Sequence, residues 1–449
     1  VTNSSLYRKH LAQLDQYLSD AIARAARAQV AVDGIVIYAG RNGFHYADDN
    51  AMSFRATPHL LRYVPLNGCD HLVVAAPGRQ PIVIRVVPRD FWEEVAPLPA
   101  SYWQSEVDLR EVATIEDAID SLQLRGRYAF VGPTGPASAR LGISQELIEP
   151  PALMRPLDWH RAIKTEHEVA LLEAACARGA DGHRVARKAF ESGASEREIH
   201  WAYLQATDHL ERELPFETIV AFNEKSAILH YHHKRGREMA PGRSLIMDAG
   251  AQVDEYFSDI TRTWYQPDVD PVFVSLIHGV DALQRELVEM VAPGRSYVEL
   301  HVAAHQRVAT LLCETGIATC RPDRAFEAGL ARSFMPHGLG HHVGVQVHDV
   351  GGRQTTPEGE ITPPPADAPM LRTTRPLAAG HFVTIEPGLY FIPMLLEQLR
   401  ASEYRALVDW KLVDRLTPFG GIRIEDNVLC TETGARDLTR PLLSGPRGV

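Results

Sequence analysis

The stretch from Ser244 to Trp264 holds two aspartates, Asp248 and Asp259, between two apolar runs, Leu245–Met247 and Ile260–Trp264. Apolar runs around a polar middle predict a β-hairpin. With Gln252–Glu255 as its loop, Asp248 and Asp259 stand opposite each other on the two strands. Directly opposed residues have Cβ atoms only ~4.5–5.5 Å apart, and like charges there repel. A half-buried surface carries two facing carboxylates when a cation lies between them. The alternative for this stretch alone is a solvated hairpin edge, and the rest of the chain has to decide.

A chain of 449 residues exceeds one ordinary core, so two or three domains are expected. The net charge of −11 argues against nucleic acid as a partner, because neutralising phosphates requires clustered Lys and Arg. No apolar run approaches the ~20 residues needed to span a bilayer, and Val1 to Ala28 lacks the apolar core of a signal peptide. Five scattered cysteines without a Cys-x-x-Cys pair speak against a disulfide scaffold and against thiolate zinc. Together these features point to a cytoplasmic protein that binds no membrane.

Leucines and other apolar residues at spacings of three and four predict a helix over Leu6–Ala28. Val32–Tyr38 reads as a buried strand. Leu72–Ala76 and Ile82–Val87 form a hairpin around Pro77–Gln80, Ile115–Leu124 is helical, and Tyr128–Gly132 is a strand. This alternation describes an α/β domain of about 150 residues. Gly132–Pro136 has no phosphate-loop spacing and reads as a structural turn. Pro150, Pro151 and Pro156 mark a boundary, giving domains 1–155 and 156–449. Helices follow over Glu166–Glu191 and Glu196–Leu210, then strands from Ile219, then helices near Val272–Val291 and Val298–Glu314. No internal repeat is visible.

Three later stretches share the hairpin's character. Pro336–Gly344 packs His337, His341 and His342 among glycines, with His348 seven residues after His341. Phe382–Tyr390 ends an apolar strand on Glu386. Gly420–Val428 alternates, so that Ile422 and Ile424 face one side while Arg423 and Glu425 face the other. A carboxylate on an apolar strand is costly to bury alone. One such group is readily explained by an ion pair; four of them together with a Gly-flanked histidine are not.

These motifs, in this order, resemble the pita-bread metallopeptidases, and within them the bacterial prolidase and organophosphorus acid anhydrolase group. The resemblance covers the C-terminal two-thirds and reaches the N-terminal domain through Asp48-Asp49 and Phe91–Pro99. It implies a creatinase-like α/β domain followed by a duplicated α+β pita-bread domain. It further implies that Asp248 chelates one of two divalent ions, that His341 and Glu386 bind the other, and that Asp259 and Glu425 bridge both. Four carboxylates then offset two divalent ions, leaving room for a bridging hydroxide. Oxygen-rich ligation with a single imidazole favours Mn²⁺, with Zn²⁺, Co²⁺ and Mg²⁺ as the other candidates.

The same resemblance implies Glu386 as proton shuttle, His348 at the scissile carbonyl, and His230 and His337 lining the pocket. Arg372 and Arg423 would hold the substrate's carboxylate, which suits a guanidinium fork. The activity implied is hydrolysis of dipeptides with C-terminal proline, by a homodimer whose N-terminal domain brings Asp48 or Asp49 to the partner. The rivals are release of residues ahead of proline from longer peptides, and phosphotriester hydrolysis as a side activity. Two departures stand out. Phe216 occupies a place where relatives often carry tyrosine, a role Tyr297 could partly supply, and Glu255 replaces the glycine usual in the hairpin turn.

Overall fold

The computed structural model describes residues 3–92, 97–237 and 241–443. The chain divides into two compact units, one of residues 1–171 with 356–360, the other of residues 172–355 with 361–449. Pro156 lies inside the helix Pro151–Arg161, and the division falls within the helix Glu166–Glu191.

In the first unit the opening helix, Ser4–Arg27, buries Tyr7, His10, Leu14, Leu18, Ala21 and Ala25 along one stripe. It packs on Pro151–Arg161, where Tyr17 stacks on His160 and Asp20 accepts from that ring at 2.8 Å. Five strands follow: β1 (Gly34–Tyr38), β2 (Leu72–Ala75), β3 (Ile82–Val86), β4 (Asp108–Val112) and β5 (Tyr128–Val131). Their order is β4-β3-β2-β1-β5, with the β1–β2 and β2–β3 pairs antiparallel and the outer pairs parallel. Val36, Leu72, Val74, Ile84 and Phe130 pack with Ile115 and Ile119 into one core. The helix expected over Ile115–Leu124 ends at Asp120, where the Ser121 hydroxyl turns back onto the Ala118 carbonyl. Of the stretch Phe91–Pro99, residues 93–96 lie outside the described residues.

From Glu166 onward, two long helices followed by antiparallel strands occur twice in chain order. This is the duplication that the sequence alone hides. Glu166–Glu191 and Glu196–Thr207 precede β6 (Ile219–Phe222), β7 (Ser244–Asp248), β8 (Gln252–Val253), β9 (Tyr256–Phe257) and β10 (Thr261–Tyr265). Pro271–Glu289 and Tyr297–Glu314 precede β11 (Phe382–Ile385), β12 (Gly388–Tyr390), β13 (Gly421–Arg423), β14 (Asp426–Cys430) and β15 (Ala435–Asp437). The sheets run β10-β7-β6, β11-β14-β15 and β12-β13, and the bridge from Thr261 to Glu425 links the first group of strands to the second, as does the Thr263 hydroxyl with the Arg423 backbone. Strands β6, β7, β11 and β14 are almost wholly buried; helices Pro271–Glu289 and Tyr297–Glu314 supply much of the apolar core around β11–β14, whereas β6 and β7 pack with Phe190, Ile199 and Tyr203.

The hairpin departs from its sequence-based register. Its loop is the two-residue turn Asp254-Glu255, with φ of 48° and 66°, instead of Gln252–Glu255. Asp248 therefore pairs with Thr261, and Asp259 sits two residues away from that position. A turn with positive φ at both central residues matches strand twist better than a looser loop. Glu255 adopts the conformation usually given to glycine, its N–H donating to Gln252 Oε1 at 3.0 Å.

Candidate metal centre and its cavity

Because side chains two apart on a strand share a face, Asp259 lies diagonal to Asp248 across the hairpin and on the same side. Asn427 fixes the Asp259 backbone, accepting from its N–H at 3.1 Å and donating to its carbonyl at 2.6 Å. The Thr261–Glu425 bridge brings in Glu425, whose Oε2 accepts from the Thr261 hydroxyl at 2.6 Å.

His341 and Glu386 arrive together because the segment 339–343 runs alongside β11. Glu386 N–H donates to the Leu339 carbonyl, Thr384 N–H to the His341 carbonyl, and Val343 N–H to the Phe382 carbonyl. Gly340 is required there, since a Cβ would stand 2.3 Å from the Thr384 carbonyl oxygen. His341 Nδ1 lies 3.1 Å from the His342 carbonyl, which fixes the tautomer with Nε2 free. That Nε2 stands 3.4 Å from Asp259 Oδ2 and 3.7 Å from Glu386 Oε1. Ligand atoms of Asp259, His341 and Glu425 all lie within 4.8 Å of one another, and all three residues are buried.

These groups line a cavity of about 380 Å³ that brings together the ten ligand and pocket residues expected from the resemblance: Asp248, Asp259, His341, Glu386 and Glu425 with His230, His337, His348, Arg372 and Arg423. Burial, followed by the charges of Asp248 and Glu386, pushes the Asp259 carboxyl well above its ordinary range. Burial, then Glu425, does the same to Glu386, and burial, then Asp259, to Glu425. Asp248 Oδ1 and Asp259 Oδ1 are buried without a hydrogen bond. Crowded acidic oxygens, two of them orphaned, beside one free imidazole nitrogen fit a pair of divalent cations.

The surrounding side chains are held in turn. His348 stacks edge-on against His341, with ring centroids 4.3 Å apart. Burial, with the charges of His341 and Arg372, lowers its pKa to about 3, so the ring is neutral at neutral pH. His337 bonds the Gly338 carbonyl through Nδ1 at 2.8 Å and the Tyr390 hydroxyl through Nε2 at 2.9 Å. Arg423 has a task that its strand position did not reveal. It donates to Asp248 at 2.6 Å, to the Tyr390 hydroxyl at 3.0 Å and to the Thr261 hydroxyl at 3.2 Å. Arg372, by contrast, is exposed on the cavity wall.

Tyr297 does not substitute for the missing tyrosine: its hydroxyl donates to the Thr384 carbonyl at 2.6 Å, outside the cavity lining. Phe216 does line the cavity, together with Glu217, Ile219, Leu229, His232, Val347 and Met370. Of these, only Phe216 carried a signal in the sequence; Ile219 and Leu229 look there like ordinary core residues. Tyr390 was missed as an organiser of His337 and Arg423, although it closes the same motif as Glu386.

Residues 170–432 match the model of metallopeptidase family M24, and residues 5–159 match that of the Xaa-Pro dipeptidase N-terminal domain. A curated Xaa-Pro dipeptidase of Stenotrophomonas maltophilia is 39% identical over 99% of this chain and 98% of its own length. One from Escherichia coli is 37% identical over 98% of each. Among solved structures, Escherichia coli aminopeptidase P with the inhibitor Pro-Leu superposes with a TM-score of 0.70 at 21% identity, covering 96% of both chains. Proline aminopeptidase P II from Yersinia pestis gives 0.68 at 22% identity, covering 96% of this chain and 98% of its own. At such identities these structures speak to the fold, which is the pita-bread fold.

Proposed function

The chain belongs to metallopeptidase family M24, and from that premise we propose that its cavity hydrolyses dipeptides whose second residue is proline. The protein is a metal-dependent hydrolase. Full-length similarity to Xaa-Pro dipeptidases supports the substrate class. The observation that carries the chemistry is the convergence of four carboxylates and one free imidazole nitrogen in a cavity where Arg423 pairs with only one of them.

Asp248, Asp259, His341, Glu386 and Glu425 would hold two divalent ions. Oxygen-rich ligation favours Mn²⁺ among the candidates. When bound, the ions make a water nucleophilic at neutral pH and polarise the scissile carbonyl. Glu386 accepts a proton from the attacking water and returns it to the proline nitrogen as the amide breaks. Neutral His348 donates a hydrogen bond to the carbonyl oxygen as it gains charge. Arg372 receives the prolyl carboxylate, while Arg423 positions Asp248 and, through Tyr390, His337. His230 closes the wall around the substrate.

The first unit is assigned to self-association. Phe44, Tyr46 and Trp92 are exposed on it, and Asp48 and Asp49 lie exposed in the same loop region as Phe44 and Tyr46. Among the described residues no helix is long and apolar enough to cross a membrane. A reducing, cytoplasmic setting is part of the same reading and rests on five scattered cysteines with no Cys-x-x-Cys pair.

Elemental analysis of the purified protein combined with turnover of Gly-Pro and Gly-Pro-Pro tests the reading. Two equivalents of metal and preference for Gly-Pro are expected. Preference for the tripeptide would convert it into an aminopeptidase, and full activity without metal would overturn the chemistry. Scattering that shows a fully active monomer would remove the dimer.

A further inference from the structure

The helix Tyr297–Glu314 carries two buried histidines that the cavity does not use. His301 and His305 are four residues apart, about one helical turn, and so project from one face. Their ring centroids are 4.5 Å apart with the planes at 72°. Both residues are more than nine-tenths buried, at 5% and 6% exposure, and neither lines the cavity.

Some buried histidines of the molecule are held through their ring nitrogens, while others, such as His167 and His183, keep a buried Nδ1 without a hydrogen bond. His10 spans Thr165 Oγ1 and the Arg62 carbonyl, and His341 is fixed by the His342 carbonyl. The Nδ1 atoms of His301 and His305 are both buried without a hydrogen bond. What sets His301 and His305 apart is that both unpaired nitrogens belong to rings in contact one turn apart on the same helix, and buried polar atoms left unpaired call for a cause.

Two histidines at i and i+4 on one helical face can reach a single transition-metal ion. We propose that His301 and His305 form a two-imidazole clamp for a transition-metal ion, with water completing the coordination. Among the described residues no third His, Cys, Asp or Glu joins them. The donor set determines which ions enter. Imidazole affinity rises from Mn²⁺ through Ni²⁺ to Cu²⁺ and drops back to Zn²⁺, so the clamp selects Cu²⁺, Ni²⁺ or Zn²⁺ and discriminates against Mn²⁺. The oxygen-rich cavity has the opposite bias.

The charges around the pair do not prevent binding. Asp367 acts on His301 and Arg332 on His305, and these two form an ion pair with each other at 3.1 Å. His337 is the further titratable neighbour, half-buried and neutral at neutral pH. Burial holds His301 at about 4 and His305 at about 3, so neither ring has to lose a proton on binding at neutral pH.

The test is a Cu²⁺ titration of the Mn²⁺-loaded full-length protein, read by electron paramagnetic resonance. Wild type should show a bound Cu²⁺ with hyperfine splitting from imidazole nitrogens while its Mn²⁺ stays in place. His301→Gln and His305→Gln, which keep volume and polarity, should each lose that signal and one equivalent of Cu²⁺. An Asp259→Asn variant should keep it despite losing Mn²⁺, which separates this clamp from the cavity. Unchanged Cu²⁺ uptake in both Gln variants overturns the proposal. If those variants do not fold, protection of the two wild-type rings from diethyl pyrocarbonate by Cu²⁺ decides, and equal labelling with and without Cu²⁺ overturns it.

Discussion

Glu425, just ahead of β14, and Asp426, its first residue, are consecutive and both buried, and they meet opposite electrostatic surroundings. Asp426 faces Arg262 at 2.6 Å and Arg440 at 2.9 Å. Arg440 reaches on to Asp281 at 2.7 Å and to Gln284 at 2.6 Å. Burial raises the Asp426 pKa, but Arg262 and Arg440 more than offset it and hold the group below its ordinary value. Glu425 faces Asp259, Asp248 and one hydroxyl, and its pKa is driven up. Arg262 gives Glu425 only a backbone contact, through its carbonyl at 2.8 Å. One side of the strand carries a structural ion network complete within the protein. The other side carries acidic groups of which Arg423 pairs directly with Asp248 alone, and this excess of carboxylates distinguishes a binding site from a buried salt bridge.

Exchanging the charge on each side should have opposite consequences. Glu425→Gln should reduce kcat/KM for Gly-Pro by at least about 10³-fold and lower metal content, yet leave the Tm of the metal-free protein unchanged or raised. Asp259→Ala and Glu386→Ala should behave alike in activity; Mn²⁺-dependent turnover surviving in either would contradict their place in the centre. Asp426→Asn should instead destabilise the metal-free fold by about 3–5 kcal/mol in thermal or urea unfolding, because it strands two buried guanidinium groups. If the two substitutions gave the same pattern, the contrast between the faces would be broken.

The first unit offers a second structural pair for calibration. Arg62 and Glu168 are buried and 3.0 Å apart. Burial raises the Glu168 pKa, but Arg62, His10 and Lys164 outweigh it and hold the carboxyl at about 2. A carboxyl depressed in the folded state stabilises fully above its unfolded pKa of about 4.3, and that contribution disappears as pH falls toward 2. Glu168→Gln should therefore flatten the loss of stability between those limits, followed by circular dichroism during acid titration. An unchanged acid limb would mean the pair contributes nothing to stability.

Smaller effects sharpen the cavity's side of the comparison. Arg372→Met should raise KM for Gly-Pro by about 10- to 100-fold, the range for losing a charge-assisted hydrogen bond, and leave Gly-Pro-amide nearly untouched. Equal effects on both substrates would remove Arg372 from carboxylate recognition. Phe216→Tyr should change kcat by less than about tenfold, since one neutral hydrogen bond contributes about 0.5–1.5 kcal/mol.

Much of this molecule was legible in its amino-acid order. Helices such as Glu166–Glu191 follow from periodicity, and the acidic residues at strand ends stand out because an apolar strand has no ordinary use for them. The resemblance in motif order supplied the chemistry expected of them. Two things did not survive at this level. The hairpin register was misread because the conformation of Asp254-Glu255, neither of them glycine, is not encoded by residue type. Tyr297 was offered to the cavity, but its hydroxyl is taken by the backbone at Thr384.

The sequence alone determined which side chains could ligate and which strands carry them, because burial pattern and residue chemistry are local properties. Only the tertiary structure decided that Asp248 lies diagonal to Asp259, that Arg423 pairs directly with Asp248 and reaches Glu425 only at a distance, and that Arg262 turns to Asp426. These are contacts between residues more than 160 positions apart, apart from the hairpin pair itself. They depend on strand register and on which face each side chain takes, and a shift of one residue would reverse every one of them.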